Sequence, residues 1–450
     1  MLRSLPLRED LLSIWTAGVD AVRAPRLMQT AVQADAHQLT VCGESWPWTD
    51  LGRIVVVGAG KAGAGMAGAL EEILGPQIVD QRVTGWVNVP ADCVRPLRRI
   101  TLHPGRPAGV NEPTPEGAHG TDRILKLAHA LQPQDLCLVL LSGGGSALLP
   151  APVPGISLAD KQAVTRFLMS SDATINELNT VRKRLSRIKG GGLARACRQG
   201  RLISLIISDV VGDPLDIIAS GPTILDSSSP QQAIEILEKF HAAPPQVPQS
   251  IFDVLHQAAR NWVAAPPVSD TVRNVVIGNN AIALKAAAEQ ATRLRYEVRS
   301  LGSDNQGEAN EAGRDLARRC LNEMDSNLPI QPVCFLSGGE PVVHLAPTTR
   351  PRKGGRNQQL VLAALIELWD KDLTHTALLS GGTDGEDGPT DAAGAYLDAK
   401  VRDQASAMRL APRAYLDACD AYSFFEPCDG LIKTGPTHTN VMDLRVALLK

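Results

Sequence analysis

Short runs of valine, isoleucine and leucine recur along the chain, and most of them end in a glycine-rich segment that a helical pattern follows. Continuous apolar runs are typical of parallel strands that helices cover on both faces. The predicted strands of this kind are Arg53–Val57, Leu136–Leu141, Leu202–Ile207, Val275–Ile277, Val333–Leu336 and Ala377–Leu379. Their alternation with helices of ten or more residues predicts βαβ units and an α/β fold, in which ligands bind at the carboxyl ends of the strands.

A proline-rich stretch separates these elements into two groups. Between His241 and Asp270 five prolines bracket one predicted helix, Ile251–Val263. Prolines interrupt regular elements, so the stretch is typical of a linker into a second α/β unit. We therefore expect a first domain over residues 1–243 and a second over residues 244–430.

The last apolar run, Leu431–Val446, is predicted as a final strand and turn. Its spacing leaves open whether residues 431–450 return to the first domain.

Three segments share the sequence Ser-Gly-Gly after an apolar run, at 142–144, 337–339 and 380–382. Their irregular spacing does not indicate a repeat protein. We expect each of them to turn sharply, with glycine allowing a positive φ.

Charge, the length of the apolar runs and the cysteine spacing together argue against several classes of protein. The 450 residues include 45 basic and 48 acidic ones, for a net charge of −3, which argues against a nucleic-acid partner. No apolar run approaches the length of about 20 residues that a membrane span needs. Charged residues at Arg8, Glu9 and Asp10 stand where a secretory signal needs its apolar core. The eight cysteines form no C-x-x-C pair. We expect a cytoplasmic protein without a membrane partner.

The segment Gly58-Ala-Gly60-Lys61-Ala-Gly63 lies between a predicted strand and a helix. It matches the G-x-G-x-x-G dinucleotide fingerprint, but the next strand runs into Pro90 without the acidic residue that would hold a ribose. Lys61 adds a positive charge beside a helix start, which already favours anions. Phosphate binding at Gly58, Gly60 and Lys61, a dinucleotide site and a purely structural turn all remain open.

Two further segments are candidates for binding an anion. After a buried strand, the loop Ser142-Gly143-Gly144-Gly145-Ser146 is able to present main-chain N–H groups as a nest, although a tight turn without a ligand is the alternative. Residues 182–189 are rich in arginine and lysine. On a helix Arg182 and Lys189 would share one face and point together at an anion. The alternative is a solvated basic face.

Acidic residues and one arginine complete the set of candidates. Asp209, Glu340 and Asp384 follow predicted strands, where carboxylates are placed to hold Mg²⁺ or to accept a proton from a hydroxyl. Arg356 and Asn357 precede an apolar helix over residues 360–368, and Asn357 is a candidate for binding substrate or phosphate. An arginine at a helix start is unfavourable for the helix dipole unless an anion lies in front of it. A guanidinium suits a carboxylate or a phosphoryl group.

Together these motifs resemble the class II glycerate kinases, the glycerate 2-kinases with a C-terminal MOFRL domain. The resemblance runs along nearly the whole chain. Its blocks are Val-Gly-Ala-Gly-Lys-Ala at 57–62, Leu-Leu-Ser-Gly-Gly-Gly-Ser-Ala-Leu-Leu at 140–149, Gly-Ile-Ser-Leu-Ala-Asp-Lys at 155–161, Asn-Thr-Val-Arg-Lys at 179–183, Ile-Ser-Asp-Val at 207–210, Ile-Ala-Ser-Gly-Pro-Thr at 218–223, Gly-Gly-Arg-Asn-Gln at 354–358, Gly-Thr-Asp-Gly at 382–385 and Thr-Gly-Pro-Thr at 434–437. One departure is Gly105-Arg106-Pro107-Ala108-Gly109, which replaces the family's turn after His103-Pro104.

The resemblance implies two α/β domains, the first a Rossmann-like doubly wound parallel sheet, with the active site in a cleft between them. It implies ATP- and Mg²⁺-dependent phosphorylation of D-glycerate to 2-phosphoglycerate by in-line transfer. Lys61, Arg356 and Asp209 would be catalytic. Asp209, Glu340 and Asp384 would hold the metal. The loop 142–146, together with Arg182 or Lys189, would bind the substrate carboxylate.

In this interpretation Lys61 and Arg356 face each other across a gap and brace one phosphoryl group, in a monomer or a homodimer. Phosphoryl transfer needs positioning and charge neutralisation more than covalent chemistry. Two alternatives remain: an NAD(P)H-dependent hydroxypyruvate reductase that uses the glycine loop, and a non-catalytic protein that binds a sugar acid or a nucleotide.

Overall fold

The computed structural model describes residues 7–110, 112–263, 271–325, 331–345 and 352–450. Its chain forms two compact units. The central unit is Leu27–Ile277, and the terminal unit combines Met1–Arg26 with Gly278–Lys450. In the described part of the chain no helix is both long enough and apolar enough to span a membrane.

The two units alternate strands with helices along most of their length. The strands are β1 (Val32–Ala34), β2 (Gln38–Val41), β3 (Glu44–Pro47), β4 (Ile54–Ala59), β5 (Val83–Pro90), β6 (Ile100–Arg106), β7 (Leu136–Leu141), β8 (Arg201–Ile207), β9 (Val272–Gly278), β10 (Glu297–Ser300), β11 (Val333–Gly339), β12 (Thr376–Gly382), β13 (Gly394–Leu397), β14 (Leu431–Ile432) and β15 (Asp443–Leu449). The helices are α1 (Leu7–Ala21), α2 (Ala24–Ala31), α3 (Gly63–Arg82), α4 (Pro115–His129), α5 (Gly145–Leu148), α6 (Leu158–Ser170), α7 (Ile175–Arg184), α8 (Gly192–Ala196), α9 (Pro230–Lys239), α10 (Gln249–Arg260), α11 (Asn280–Arg293), α12 (Ala309–Met324), α13 (Arg356–Glu367), α14 (Ala399–Ala407), α15 (Pro412–Asp417) and α16 (Ala421–Phe425), with two short 3₁₀ helices at Ala91–Cys93 and Ile218–Ser220.

The central unit is built on a six-stranded sheet in the order β6-β5-β4-β7-β8-β9. The pairs β6–β5, β5–β4, β4–β7 and β7–β8 are parallel. Every residue of β4 and β7 is buried, which explains why these strands are uninterrupted runs of apolar residues. The predicted Rossmann-like parallel sheet is confirmed, and a separate three-stranded antiparallel sheet of β1, β2 and β3 accompanies it.

The terminal unit is built on a second six-stranded sheet, in the order β10-β11-β15-β12-β13-β14. Its strands are mixed in direction, because β10 and β11 run parallel whereas β15 runs antiparallel to both β11 and β12. Helix α13 is buried along most of its length in the same apolar core. The predicted second α/β domain is therefore confirmed, with a mixed rather than a parallel sheet.

Two of the three Ser-Gly-Gly segments contradict the prediction of a sharp turn. In β11 and β12 these residues continue the strand and pair with the same stretch of β15. Ser337 and Ser380 lie on either side of Arg445, and Gly339 and Gly382 lie on either side of Asp443. Of the three, the segment at 142–144 leaves its strand and turns, and the parallel ladders that pair β7 with β4 and β8 end at Leu141.

The boundaries of the two units also differ from the predicted ones. Helix α1 packs its buried residues Leu11, Ile14 and Trp15 into the core of the terminal unit. The central unit extends to residue 277 because β9 completes its sheet. Residues 443–449 do not return to the first domain, since β15 lies in the middle of the second sheet. The proline-rich stretch lies before β9 rather than after it, so it does not mark the boundary between the units. Residues 264–270 of that stretch lie outside the described part of the chain.

Candidate functional site

In the central unit the glycine loop after β4 fits against the loop after β7. A Cβ atom at Gly58 would lie 2.0 Å from the main-chain oxygen of Leu140, and one at Gly60 would lie 2.0 Å from Ser142 Oγ. Both positions require glycine because β7 approaches so closely. The Ala62 N–H donates to Ser142 Oγ at 3.0 Å, and the Lys61 N–H donates to the Gly143 carbonyl at 2.9 Å. These contacts hold the half-buried Lys61 at the carboxyl end of the sheet.

The loop Gly143-Gly144-Gly145 turns into the short helix α5 through one left-handed residue. Gly144 has φ +77°, and a Cβ atom there would lie 2.8 Å from Arg106 Nη2. Arg106 is a buried cation at the end of β6, which the sequence indicated only as a departure from the family's turn. Gly144, Gly145 and Ser146 line a cavity of about 760 Å³. The predicted anion-binding loop therefore opens onto a ligand-sized space.

Ser146 is the centre of a polar network on the wall of this cavity. Its Oγ accepts hydrogen bonds from Arg182 Nη2 at 2.6 Å and from Lys189 Nζ at 2.7 Å. The same Oγ lies 3.0 Å from Ser220 Oγ, which donates to Asn179 Oδ1 at 3.1 Å. Lys189 Nζ also donates to the carbonyls of Ser146 and Ala219. Two cations thus converge on one serine hydroxyl.

Arg182 and Lys189 meet there for a reason other than the predicted one. Helix α7 ends at Arg184, so Lys189 does not share a helix face with Arg182. It lies instead in the turn before Gly190 and Gly191, both of which have positive φ. The convergence was predicted from a helical spacing that the chain does not have. The turn at 189–191 brings the two side chains together instead.

Three lining residues that the sequence did not single out belong to the same wall: Lys161, Asn179 and Ser220. Ala219, Ser220 and Gly221 have φ values of 50°, 61° and 60°. Consecutive left-handed residues are strained when they are not glycine, and such strain concentrates at functional sites. The block Ile-Ala-Ser-Gly-Pro-Thr contained this signal, since a lone glycine before proline marks an unusual turn.

Burial weakens the basicity of the cavity's cations. Burial, and after it the charges of Arg182 and Arg187, lower the pKa of Lys161 to about 7. Burial and the charges of Arg182, Lys161 and Lys183 lower the pKa of Lys189 well below its usual value. Burial alone lowers the pKa of Arg182. An anion in the cavity would favour the charged forms of these groups, because its charge offsets both the cost of their burial and their mutual repulsion.

We expect the Ser146→Ala variant to unfold with a free energy about 1–3 kcal/mol lower than that of the wild type, because the buried Lys189 and the half-buried Arg182 lose a shared acceptor. Chemical denaturation with equal m-values in both proteins measures the difference. Ser170→Ala is the matched control, since the exposed Ser170 hydroxyl makes one bond, to the Phe167 carbonyl. Equal stability of all three proteins would show that the network does not depend on Ser146.

In the terminal unit, Arg356 at the start of α13 is held by two carboxylates. Its Nε and Nη2 donate to the two oxygens of Asp443 at 2.7 and 3.0 Å, and its Nη1 donates to Glu340 Oε1 at 2.7 Å. Asp443 is fully buried, whereas the Arg356 side chain is one-third exposed. Burial opposes the charge of Arg356, but Asp443 outweighs it and the pKa rises. The sequence predicted an anion in front of this helix start, and the carboxylates of Asp443 and Glu340 in the same chain occupy that place.

A second buried carboxylate caps the same helix. Asp387 accepts from the main-chain N–H groups of Asn357 and Gln358 at 3.0 and 2.8 Å. Asn357 Nδ2 donates to Asp387 and to Asp443, and its Oδ1 accepts from Ser380 Oγ. Asn357, predicted as a binding residue, therefore links these acids inside the protein. Burial, opposed by the hydrogen bonds, raises the pKa of Asp387 to about 7.

The three acids predicted to hold a metal are not brought together within either unit. Asp209 lines the cavity of the central unit, whereas Asp384 lines a cavity of about 520 Å³ in the terminal unit. Glu340 is paired with Arg356. In residues 7–110, 112–263, 271–325, 331–345 and 352–450 no three His, Cys, Asp or Glu side chains are grouped as metal ligands would be. That one or more of Asp209, Glu340 and Asp384 hold Mg²⁺ therefore stays a prediction.

Asp443 is the residue that sequence reasoning missed in this unit. The segment Asp443-Leu-Arg445-Val-Ala-Leu-Leu alternates charged residues with apolar ones before it becomes wholly apolar. Both charged side chains are buried, Asp443 completely and Arg445 to 2% exposure. Charges at alternate positions of a buried strand lie on one face of the sheet. That pattern was available as a signal of a buried polar site.

Comparisons with known proteins identify the family to which the chain is similar. Residues 10–256 match the model described as "Domain of unknown function (DUF4147)", and residues 333–443 match the MOFRL family. A protein of Rattus norvegicus named glycerate kinase is 36% identical, over 99% of this chain and 94% of its own. A protein of Agrobacterium vitis named putative hydroxypyruvate reductase is 38% identical, over 96% and 95%. The crystal structure of a glycerate kinase from Thermotoga maritima superposes with a TM-score of 0.84 at 33% identity, covering 99% of both chains.

Proposed function

This chain belongs to the DUF4147/MOFRL family of glycerate kinases, and on that premise we propose that it transfers a phosphoryl group from ATP to the 2-hydroxyl of D-glycerate. The product is 2-phosphoglycerate, and the transfer is in line. The observation that carries the proposal is the convergence of Arg182 and Lys189 on Ser146 Oγ, in a cavity at the carboxyl ends of a parallel sheet. A small hydroxy acid presents the carboxylate that such a site binds.

Two cations at loops near strand ends are proposed to act on the transferred group. Lys61 follows β4, and Arg356 begins α13. Phosphoryl transfer spreads negative charge over the equatorial oxygens, and positioned cations stabilise that charge. The bidentate pair with Asp443 fixes the plane of the Arg356 guanidinium, so that its orientation is set before a substrate binds. Asp209, in the wall of the cavity, is proposed to accept the proton of the substrate hydroxyl.

Mg²⁺ is proposed to enter with the nucleotide. Magnesium in kinases is usually held by one or two carboxylates together with substrate phosphates, so a three-acid cage is not needed. Asp209 and Asp384 are half-buried acids that line cavities, which fits this requirement. The ion would neutralise charge on the phosphates.

The decisive experiment incubates the purified protein with ATP, Mg²⁺ and D-glycerate and follows ADP release. Coupling to enolase then distinguishes 2-phosphoglycerate from 3-phosphoglycerate, because only the former is dehydrated to phosphoenolpyruvate. We expect ADP release that depends on D-glycerate and a signal from enolase without added mutase. Absence of ADP release at saturating D-glycerate would overturn the kinase assignment, and ADP release without an enolase signal would overturn the 2-hydroxyl as acceptor.

The name of the Agrobacterium vitis relative favours one alternative activity, reduction of hydroxypyruvate. The glycine loop after β4 is the feature that would serve a nicotinamide cofactor. Strand β5 ends at Asn88-Val89-Pro90, without an acid within the strand to hold the ribose. NADH or NADPH oxidation with hydroxypyruvate, in the absence of ATP, would support this alternative. We expect no such oxidation.

A further inference from the structure

We propose that Asp387 is a positioning residue for the proposed transfer: from the loop after β12 it holds the first turn of α13, and with that turn Arg356, in the place where the guanidinium meets the transferred group. The inference rests on the proposed function, because it needs the role that we assign to Arg356. Asp387 is only 2% exposed and acts through the main chain and through Asn357.

The start of α13 has no cap in its own sequence. Its N-cap is Gly355, which has no side chain to accept a hydrogen bond. The first N–H groups of a helix have no partner within the helix and need an acceptor from elsewhere. Asp387 supplies it from 30 residues further along the chain, because its two oxygens accept from the N–H groups of Asn357 and Gln358 at 3.0 and 2.8 Å. The loop after β12 therefore sets the position of the turn that begins with Arg356.

The two segments approach each other so closely that both need glycine. A Cβ atom at Gly355 would lie 2.3 Å from Asp387 Cγ. From the other side, a Cβ atom at Gly388, whose φ is +61°, would lie 2.3 Å from the main-chain oxygen of Gly354. Main chain that is packed this closely leaves the helix start little freedom to move.

A side-chain bridge provides a second route from Asp387 to Arg356. Asn357 Nδ2 donates to Asp387 at 3.2 Å and to Asp443 at 3.0 Å, and its Oδ1 is fixed by the hydroxyl of Ser380. Asp443 in turn holds Arg356 by two hydrogen bonds. The Asp387 carboxylate thus accepts three N–H groups with two oxygens. A neutral amide or a protonated carboxyl turns one of these oxygens into a donor, so both routes depend on the ionised form.

The first test is steady-state kinetics of Asp387→Asn at pH 8.5. We expect kcat to fall about tenfold, because a small displacement of a positioned group is costly in the transition state. KM for D-glycerate and for ATP should change less than about twofold. Asp398→Asn is the matched control, because Asp398 caps α14 in the same unit by accepting from the Val401 N–H at 2.9 Å. It should leave kcat within about twofold of the wild type.

The second test uses the pKa of Asp387, which burial raises to about 7. The carboxylate is almost wholly ionised at pH 8.5 and mostly protonated at pH 6. The ratio of kcat between the wild type and Asp387→Asn should therefore fall from about tenfold at pH 8.5 to about twofold at pH 6. Other titrating groups affect both proteins alike, and the ratio removes their effect.

The substitution leaves the other charged groups of this network and its surroundings in place. They are Arg356 on α13, Glu340 after β11, Asp443 and Arg445 on β15, and Asp384 and Glu386 in the loop of Asp387 itself. A change of the ratio with pH therefore reports the proton of Asp387.

Hydrogen exchange of the wild type tests the anchoring without a variant and without activity. At pH 6 the protonated Asp387 no longer accepts from both Asn357 and Gln358. After correction for the intrinsic pH dependence of exchange, we expect these two amides to exchange about tenfold faster at pH 6 than at pH 8.5. The last turn of α13, which ends at Glu367, should keep its protection. Mass spectrometry of peptides from the two ends of the helix measures both.

A ratio of kcat that stays constant between pH 6 and pH 8.5 would overturn the inference, and so would a loss in Asp387→Asn that appears in KM instead of kcat. Equal protection of the first turn of α13 at the two pH values would overturn it even where the variant does not fold. Failure of the proposed function is a different result, a wild type that releases no ADP with D-glycerate. A protein that releases ADP but shows a constant ratio keeps its kinase assignment and loses this inference.

Discussion

The Arg356→Ala variant is expected to lower kcat by about 10²-fold or more, the size of a lost contact to developing charge in a transition state. Arg356 has three hydrogen bonds to carboxylates, which orient its guanidinium and leave one-third of the side chain exposed. Because we propose that Arg356 contacts the transferred group and not the ground-state acid, we expect KM for D-glycerate to change much less than kcat. Steady-state kinetics with ADP detection measure both parameters.

A structural effect of this substitution must be separated from the catalytic one. Removing Arg356 leaves the buried Asp443 without its cation, and breaking a buried pair costs about 3–5 kcal/mol, less here because Arg356 is partly exposed. The double variant Arg356→Ala/Asp443→Asn removes the uncompensated charge. We expect it to recover stability in denaturation experiments without recovering kcat. Recovery of kcat along with stability would assign Arg356 to the fold alone.

Arg299→Ala is the matched control for Arg356. Arg299 lies on β10 of the same unit and also pairs with two carboxylates, Glu297 and Glu323. Its removal should leave kcat within about twofold of the wild type, because partly exposed ion pairs of this kind contribute little to stability.

The Lys61→Ala variant should likewise lower kcat by about 10²-fold or more. The main chain of Lys61 is fixed by its hydrogen bond to the Gly143 carbonyl, so the substitution removes the ammonium group without moving the loop. Lys61→Arg is expected to recover only part of the activity, because a planar fork does not replace a compact point charge. Stopped assays of ADP with saturating D-glycerate and varied ATP measure the loss.

Lys126→Ala serves as the control for Lys61, since Lys126 lies in the last turn of α4 in the same unit. It should leave activity unchanged. A Lys61→Ala protein that turns over at the wild-type rate would remove this residue from the mechanism, and with it the role that we assign to the glycine loop.

The buried strands could be predicted from the sequence because burial constrains the residue type at nearly every one of their positions. Leu136–Leu141 was predicted and observed with the same bounds, and Arg53–Val57 differs from β4 by one residue at its start and two at its end. A strand that is covered on both faces excludes polar side chains from nearly every position, and that exclusion is visible as a continuous apolar run. The Rossmann-like sheet of the central unit could accordingly be predicted from the sequence.

The contacts that build the candidate site could not be predicted from the sequence, because they join segments that are far apart along the chain. Arg356 and Asp443 are 87 residues apart, and Ser146 and Lys189 are 43 apart. Local spacing suggested that Arg182 and Lys189 converge, but through a helix that ends at Arg184. The prediction of the unit boundaries was wrong for a similar reason. The pairing of β15 with β11 and β12 joins distant segments and is not visible in the local sequence.

The position of β15 in the middle of its sheet has a consequence for how the chain folds as it is made. The central unit is one continuous segment, complete when residue 277 has been synthesised. By contrast, β11 and β12 have no ladder between them until residues 443–449 leave the ribosome. We expect the nascent chain to carry a finished first unit and an unfinished second one, whose two open strand edges need protection from aggregation until residues 443–449 have emerged.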